Sequence, residues 1–253
     1  MQPGTCNADY DWTEEQYDVT FQIALIGCDG LVVGSDRLSV QTVPSETGGP
    51  AFGQPTYQTK YCLDDTQSII CFWAGGAMSP VVARQIATSC KLQDAELQWS
   101  KSIDTAAASI PVIYQYPIDQ VIVAKADTPD AVWLVTRRWH AFENKFVPVC
   151  FSVKIADKIC TGVGTVAQFL PHHLWRPNMS VSQLRTLALL TLSYATEENP
   201  SSVGPPFDIM TLDRTGHVSW LVHDRMIHQT FQADLEKIFS DRHNSLENAL
   251  YAV

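Results

Sequence analysis

The stretch that most constrains this chain is residues 19–37, where two apolar runs flank Gly27-Cys28-Asp29-Gly30. Asp-Gly between apolar runs is a hairpin signal, because glycine accepts positive φ without steric cost. The first run opens at Thr20 and the second closes on Asp36-Arg37. Folding the hairpin brings a hydroxyl and a carboxylate to the same end of adjacent strands. Taken alone, Thr20 reads as an ordinary strand threonine, since Thr favours strands whatever its role.

The remaining segments extend the pattern in both directions. Residues 1–19 are polar and acidic and read as an extension rather than a domain, which leaves 20–253 as the folded unit. Val43 to Pro55, rich in Pro, Gly, Ser and Thr, is expected to be a loop. A second hairpin follows, from Thr59–Leu63 through Asp64-Asp65 to Ser68–Ala74, and its second strand is apolar enough to be buried on both faces. Ser79-Pro80 starts a helix running to about Lys91, and a second helix is expected over roughly Trp99–Tyr114. Strands are expected at Gln120–Ala124, Ala131–Val135, Phe146–Val153 and Lys158–Thr161. A helix starts near Thr165, and Ser180-Val-Ser-Gln183 is a capping box opening a strongly apolar helix to about Ala195. Phe207–Leu212 and His217–Leu221 form a closing hairpin, and a last helix covers roughly Phe231–Phe239. Paired helices between sheet segments predict an α+β fold, a four-layer α-β-β-α sandwich of two antiparallel sheets.

Composition narrows the function classes. The chain has 253 residues, 45% of them hydrophobic, which suits one domain with a sizeable core. A net charge of −10 with no basic cluster argues against nucleic acid and against anionic membranes as partners. The seven cysteines show no CxxC spacing and read as buried free thiols rather than a disulfide framework or zinc site. The N-terminus lacks a basic segment followed by an apolar one, and no run of about 18 apolar residues occurs. A cytoplasmic protein with no cofactor and no metal is therefore expected. His172-His173 lie next to one another and so point to different sides of a helix, away from any third ligand. Gly162-Val163-Gly164 is too short for a phosphate loop and reads as a strand-to-helix turn.

Taken in order, Thr20, Gly27-Cys28-Asp29-Gly30 and Asp36-Arg37 resemble, without a gap, the start of the mature chain of a proteasome β-type subunit, an N-terminal nucleophile (Ntn) hydrolase. Gln58-Thr59-Lys60-Tyr61 resembles that family's segment with the active-site Lys, and Trp73-Ala74-Gly75-Gly76 its Ala-Gly strand end. The resemblance runs from residue 20 to about 222 and implies the Ntn hydrolase fold. It also implies roles: Thr20 as nucleophile, with its own freed α-amine as base, Asp36 as partner of Lys60, Lys60 as electrostatic stabiliser, and Gly75 as oxyanion donor. Ser39, Val40, Trp73 and Ala77 would line the substrate site, where the bulk of Trp73 makes a pocket shallow. The implied partners are a peptide or unfolded-protein substrate and further copies of the chain in a ring-like homo-oligomer.

The sequence also departs from the family pattern. Thr20 is internal, so its nitrogen is an amide and cannot act as a base until residues 1–19 are removed. Val19 stands where the family usually has Gly, and a β-branched residue fits the strained bend of self-cleavage less readily. Val163 takes the place of a supporting Ser. Residues 198–204 lack the family's Asp and Ser, with Ser201 or Ser202 as the nearest substitutes. The leading expectation is a threonine peptidase activated by cleavage before Thr20. Its alternatives are a non-catalytic structural subunit of the same fold and an Ntn amidohydrolase of small amides.

Overall fold

The structure, a computed structural model, describes residues 20–44, 50–66, 68–75, 79–89, 118–142, 145–162 and 165–224. In chain order the elements are β1 (Phe21–Ile26), β2 (Gly30–Asp36), β3 (Leu38–Pro44), β4 (Pro50–Tyr57), β5 (Tyr61–Leu63), β6 (Ile69–Gly75), α1 (Ser79–Ser89), β7 (Ile118–Lys125), β8 (Val132–Phe142), β9 (Lys145–Ile155), β10 (Lys158–Gly162), α2 (Thr165–Leu174), α3 (Val181–Glu198), β11 (Phe207–Asp213) and β12 (Val218–His223). The strands pair antiparallel throughout. They form a five-stranded sheet β10-β1-β2-β11-β12, a two-stranded ribbon β3-β4 and a five-stranded sheet β5-β6-β7-β8-β9.

The expected four-layer sandwich of two antiparallel sheets is thereby corrected. The described residues make three sheets and only three helices, and strand dominates. The third sheet runs into the segment Val43–Pro55 expected to be a loop, which holds the end of β3 and most of β4: the two strands pair from Leu38↔Tyr57 to Pro44↔Pro50 with a register shift between Val40 and Thr42. A free two-stranded ribbon tolerates proline because its outward N–H groups need no ladder partner. Of the helix pair expected before β7, α1 alone is described; the segment 99–114 and the terminal helix 231–239 lie outside the described residues.

Burial follows the period of two along the strands. Ala24, Ile26, Leu31 and Val33 meet Ile70, Phe72, Ile122 and Ala124 in a core between the two larger sheets. The alternate residues Phe21, Ile23, Leu25 and Val32 pack under α2 and α3. Cys71, Trp73, Val121 and Val123 pack under Val82, Ala83 and Ile86 of α1. So β6 is buried on both faces, as its apolar run requires. The capping box at Ser180 forms in full: the Ser180 hydroxyl accepts from the Gln183 N–H at 3.4 Å, and the Gln183 side chain accepts from the Ser180 N–H at 2.9 Å. Within α3, buried Thr191, Ser193 and Thr196 each donate to a carbonyl one turn back, at 2.8, 2.9 and 3.0 Å, which satisfies their hydroxyls in an apolar setting. No helix among the described residues is long and apolar enough to cross a membrane.

Candidate active site

The opening hairpin forms with the register its turn demands. Gln22 faces Ser35 and Ile26 faces Leu31, which places Thr20, just before β1, beside Asp36 at the end of β2. At the turn, Gly30 has φ of 152°, and a Cβ there would lie 2.2 Å from the Leu212 carbonyl oxygen, so β11 approaches too closely for any side chain.

Lys60 precedes β5 and its Nζ enters this corner. It donates to the Thr20 hydroxyl at 2.6 Å, to both oxygens of Asp36 at 3.1 Å, and to the Leu38 carbonyl. Thr20 is 4% exposed, Asp36 0% and Lys60 2%, so the three groups meet out of bulk water. Asp36 has two more donors, the Phe21 N–H at 3.0 Å and the Gly204 N–H. Burial pushes the Asp36 carboxyl up to about 6, opposed by the Lys60 charge and these N–H groups. Burial likewise lowers the Lys60 ammonium from its ordinary value, opposed by the Asp36 charge and its hydrogen bonds. An ammonium held at this distance from a hydroxyl oxygen favours negative charge on that oxygen.

Thr20 is backed by glycine. Gly162, opposite Phe21 at the end of β10, has φ of 98°, and a Cβ there would sit 1.8 Å from the Thr20 carbonyl oxygen. Next to the site, Arg37 makes a two-pronged pair with buried Asp208, Nε to Oδ2 at 2.9 Å and Nη2 to Oδ1 at 2.6 Å. That fork raises the guanidinium further and ties β2 to β11.

Of the eight site residues expected from sequence, the structure brings Thr20, Asp36 and Lys60 together. Gly75 ends β6, two residues beyond Trp73, whose N–H donates to the Lys60 carbonyl at 3.0 Å. Trp73 is 7% exposed and packs in the cluster under α1. Ser39 lies on β3, where its hydroxyl accepts from Gln58 Nε2 at 2.9 Å. Val40 is the next residue of β3, and Ala77 and Val163 lie outside the described residues. What residues 198–204 give the site is the Gly204 N–H, while Ser201 is exposed. His172 and His173 are exposed on α2, and no group of three or more His, Cys, Asp or Glu among the described residues could hold a metal ion. Sequence reasoning missed the Leu38 carbonyl, the Phe21 and Gly204 N–H groups, and Asp208. Only Asp208 had a signal, as an acid inside the apolar run Phe207–Leu212.

No family model matches the sequence, and no curated protein matches it. Solved structures do resemble it. The structure of Anbu (ancestral beta-subunit) from Yersinia bercovieri has a TM-score of 0.61 at 13% identity, over 87% of this chain and 97% of that one. The Gly-1 mutant of Anbu from Hyphomicrobium sp. strain MC1 has a TM-score of 0.57 at 14% identity, over 91% and 99%. The helical assembly of the Anbu complex from Pseudomonas aeruginosa has a TM-score of 0.58 at 15% identity, over 90% and 96%. At these identities the likeness shows the fold alone, a proteasome-related fold rich in sheet. It corrects the resemblance to a proteasome β-type subunit: these neighbours are proteasome-like relatives but not that family.

Proposed function

We propose that this chain is a threonine-type peptidase whose nucleophile is Thr20, exposed as a new N-terminus by removal of residues 1–19. The observation that carries the reading is the 2.6 Å hydrogen bond from Lys60 Nζ to the Thr20 hydroxyl, made while the same ammonium rests on Asp36. A buried Lys–Asp pair is by itself weak evidence of function. A pair spending one donor on a strand-end threonine hydroxyl supports chemistry at that oxygen.

Once freed, the Thr20 α-amine takes the hydroxyl proton as Oγ1 attacks the peptide carbonyl carbon. Lys60 stabilises the charge developing on Oγ1, and Asp36 holds Lys60 in place. A backbone N–H at Gly75 would receive the tetrahedral oxyanion. The amine then passes its proton to the leaving nitrogen, the C–N bond breaks, and an ester to Thr20 remains. Water, deprotonated by the same amine, hydrolyses that ester. Ser39, Val40 and Ala77 would face the substrate, with Trp73 as the wall towards the α1 cluster. The helical assembly formed by the Pseudomonas aeruginosa neighbour supports a self-associating chain, and sedimentation of the purified protein tests that part.

Intact mass with N-terminal sequencing tests activation: a chain starting at Thr20 is expected. An electrophilic probe directed at N-terminal threonine should then label Thr20 and leave Thr20→Ala unlabelled. A chain that stays full length under every condition and is never labelled removes the peptidase reading. The 4% exposure of Thr20 favours a second reading in that event, a non-catalytic member of the fold in which the Thr20–Lys60–Asp36 bonds pin β1, β2 and β5 together. Activity on small amides but not on peptides would instead identify an amidohydrolase.

A further inference from the structure

Cys62 and Cys71 stand opposite one another across the β5–β6 ladder. The flanking rungs fix what kind of pair they form. The Trp73 N–H donates to the Lys60 carbonyl at 3.0 Å, and the Asp64 N–H donates to the Ile69 carbonyl at 3.1 Å. Cys62–Cys71 lies midway between those two rungs, so it too is a hydrogen-bonded pair, with Cα atoms about 5.5 Å apart. That spacing lies inside the roughly 4.4–6.8 Å that a disulfide spans. Both side chains are on the α1 side of the sheet, where buried Cys71 belongs to the core cluster and half-buried Cys62 packs against it. Neither sulfur is in a disulfide.

The two sulfurs also differ in a useful way. A hydrogen bond with the Cys71 thiol and the nearby Arg84 charge hold the Cys62 thiol below its ordinary range, against the effect of burial. Cys62 is therefore the nucleophilic member, reachable from solvent, and Cys71 the sheltered partner behind it. Among the described residues, the thiols of Cys28 and Cys160 are placed differently. Cys28 is exposed and donates to the Asn178 carbonyl at 3.4 Å. Burial pushes Cys160 up to about 12.

We propose that Cys62 and Cys71 form an oxidative modification site, at which a low-molecular-weight disulfide closes a reversible cross-strand disulfide between β5 and β6. The Cys62 thiolate attacks one sulfur of the small disulfide. The S–S bond breaks, one small thiolate leaves, and it takes the proton that Cys62 released. The Cys71 sulfur, on losing its proton, attacks the Cys62 sulfur and displaces the second small thiolate, which takes that proton. Two protein thiols are oxidised and one small disulfide is reduced to two thiols. The site stands independently of any chemistry at Thr20.

The test uses the full chain, purified under reductant, exposed to oxidised glutathione, alkylated and digested without reduction. The expected product is a peptide pair joining Cys62 to Cys71, about 2 Da lighter than the two thiol peptides together, and dispersed by dithiothreitol. Cys28→Ser should form it unchanged. Cys71→Ser should stop with glutathione on Cys62. Recovery of both cysteines as alkylated thiols while Cys28 carries glutathione overturns the proposal. So does a stable mixed disulfide on Cys62 in the unaltered chain, or a link from Cys62 to a different cysteine. The map of the unaltered chain decides the question even where Cys71→Ser fails to fold.

Discussion

At the scale of single residues, the buried Lys60–Asp36 pair decides more than any other contact. Lys60→Met removes the ammonium and leaves the Asp36 carboxylate unpaired at 0% exposure. Breaking a buried pair from one side costs about 3–5 kcal/mol, so the urea midpoint should fall steeply, and activity of the processed chain should vanish with it. The pH dependence follows from Asp36, pushed up to about 6 from an ordinary 3.8. As pH falls through about 6 the carboxylate takes a proton and Lys60 loses its counter-charge, so kcat/KM of the processed chain should steepen its acid-side decline there by one proton, beyond the proton taken up by the α-amine, and Asp36→Asn should abolish that second step. Stability moves the other way. The folded state binds this proton more tightly than the unfolded chain, so the contribution of Asp36 is fully present below about 4 and is lost as pH rises through about 6. Urea midpoints of the unaltered chain relative to Asp36→Asn should therefore improve from pH 7 to pH 4. Thr20, Asp36 and Lys60 were legible because each is a side-chain type set in a motif. The Leu38 carbonyl and the Phe21 and Gly204 N–H groups that complete their shell were not, since every residue but proline carries both backbone groups.

At the scale of elements, the hairpin β1–β2, the Ser180 capping box and the doubly buried β6 were written in short-range signals: a turn dipeptide, a cap spacing and an unbroken apolar run. The β3–β4 ribbon was not. Its pairing rests on backbone contacts between segments carrying Pro44, Pro50 and Pro55, and those residues signal a loop. Gly162 shows how an element end can serve a site. Gly162→Ala would force a Cβ to within 1.8 Å of the Thr20 carbonyl oxygen at a φ of 98°. It should displace Thr20, lowering probe labelling of the processed chain far more than its melting temperature. By contrast, Ser180→Ala deletes a cap remote from the site, and should cost about 1 kcal/mol in thermal unfolding without changing activity. The short strand β5 begins one residue after Lys60, so closing Cys62 onto Cys71 would fasten the lysine's own strand to β6.

At the scale of the whole molecule, stability resides where the two five-stranded sheets meet. Phe72, fully buried in that core beside Tyr61 and Trp220, is the position to test. Phe72→Ala should cost about 3–5 kcal/mol in urea unfolding, while Phe169→Ala on α2, 58% exposed, should change it little. The four-layer expectation came from counting helices in pairs, whereas the described residues form three sheets and three helices. The β1 ladder begins with the rung Phe21–Gly162, and Thr20 stands just outside it. A cut at the Val19–Thr20 bond would leave the rungs from Phe21–Gly162 to Leu25–Lys158 in place, and would hand the molecule a lone pair of electrons where an amide had been.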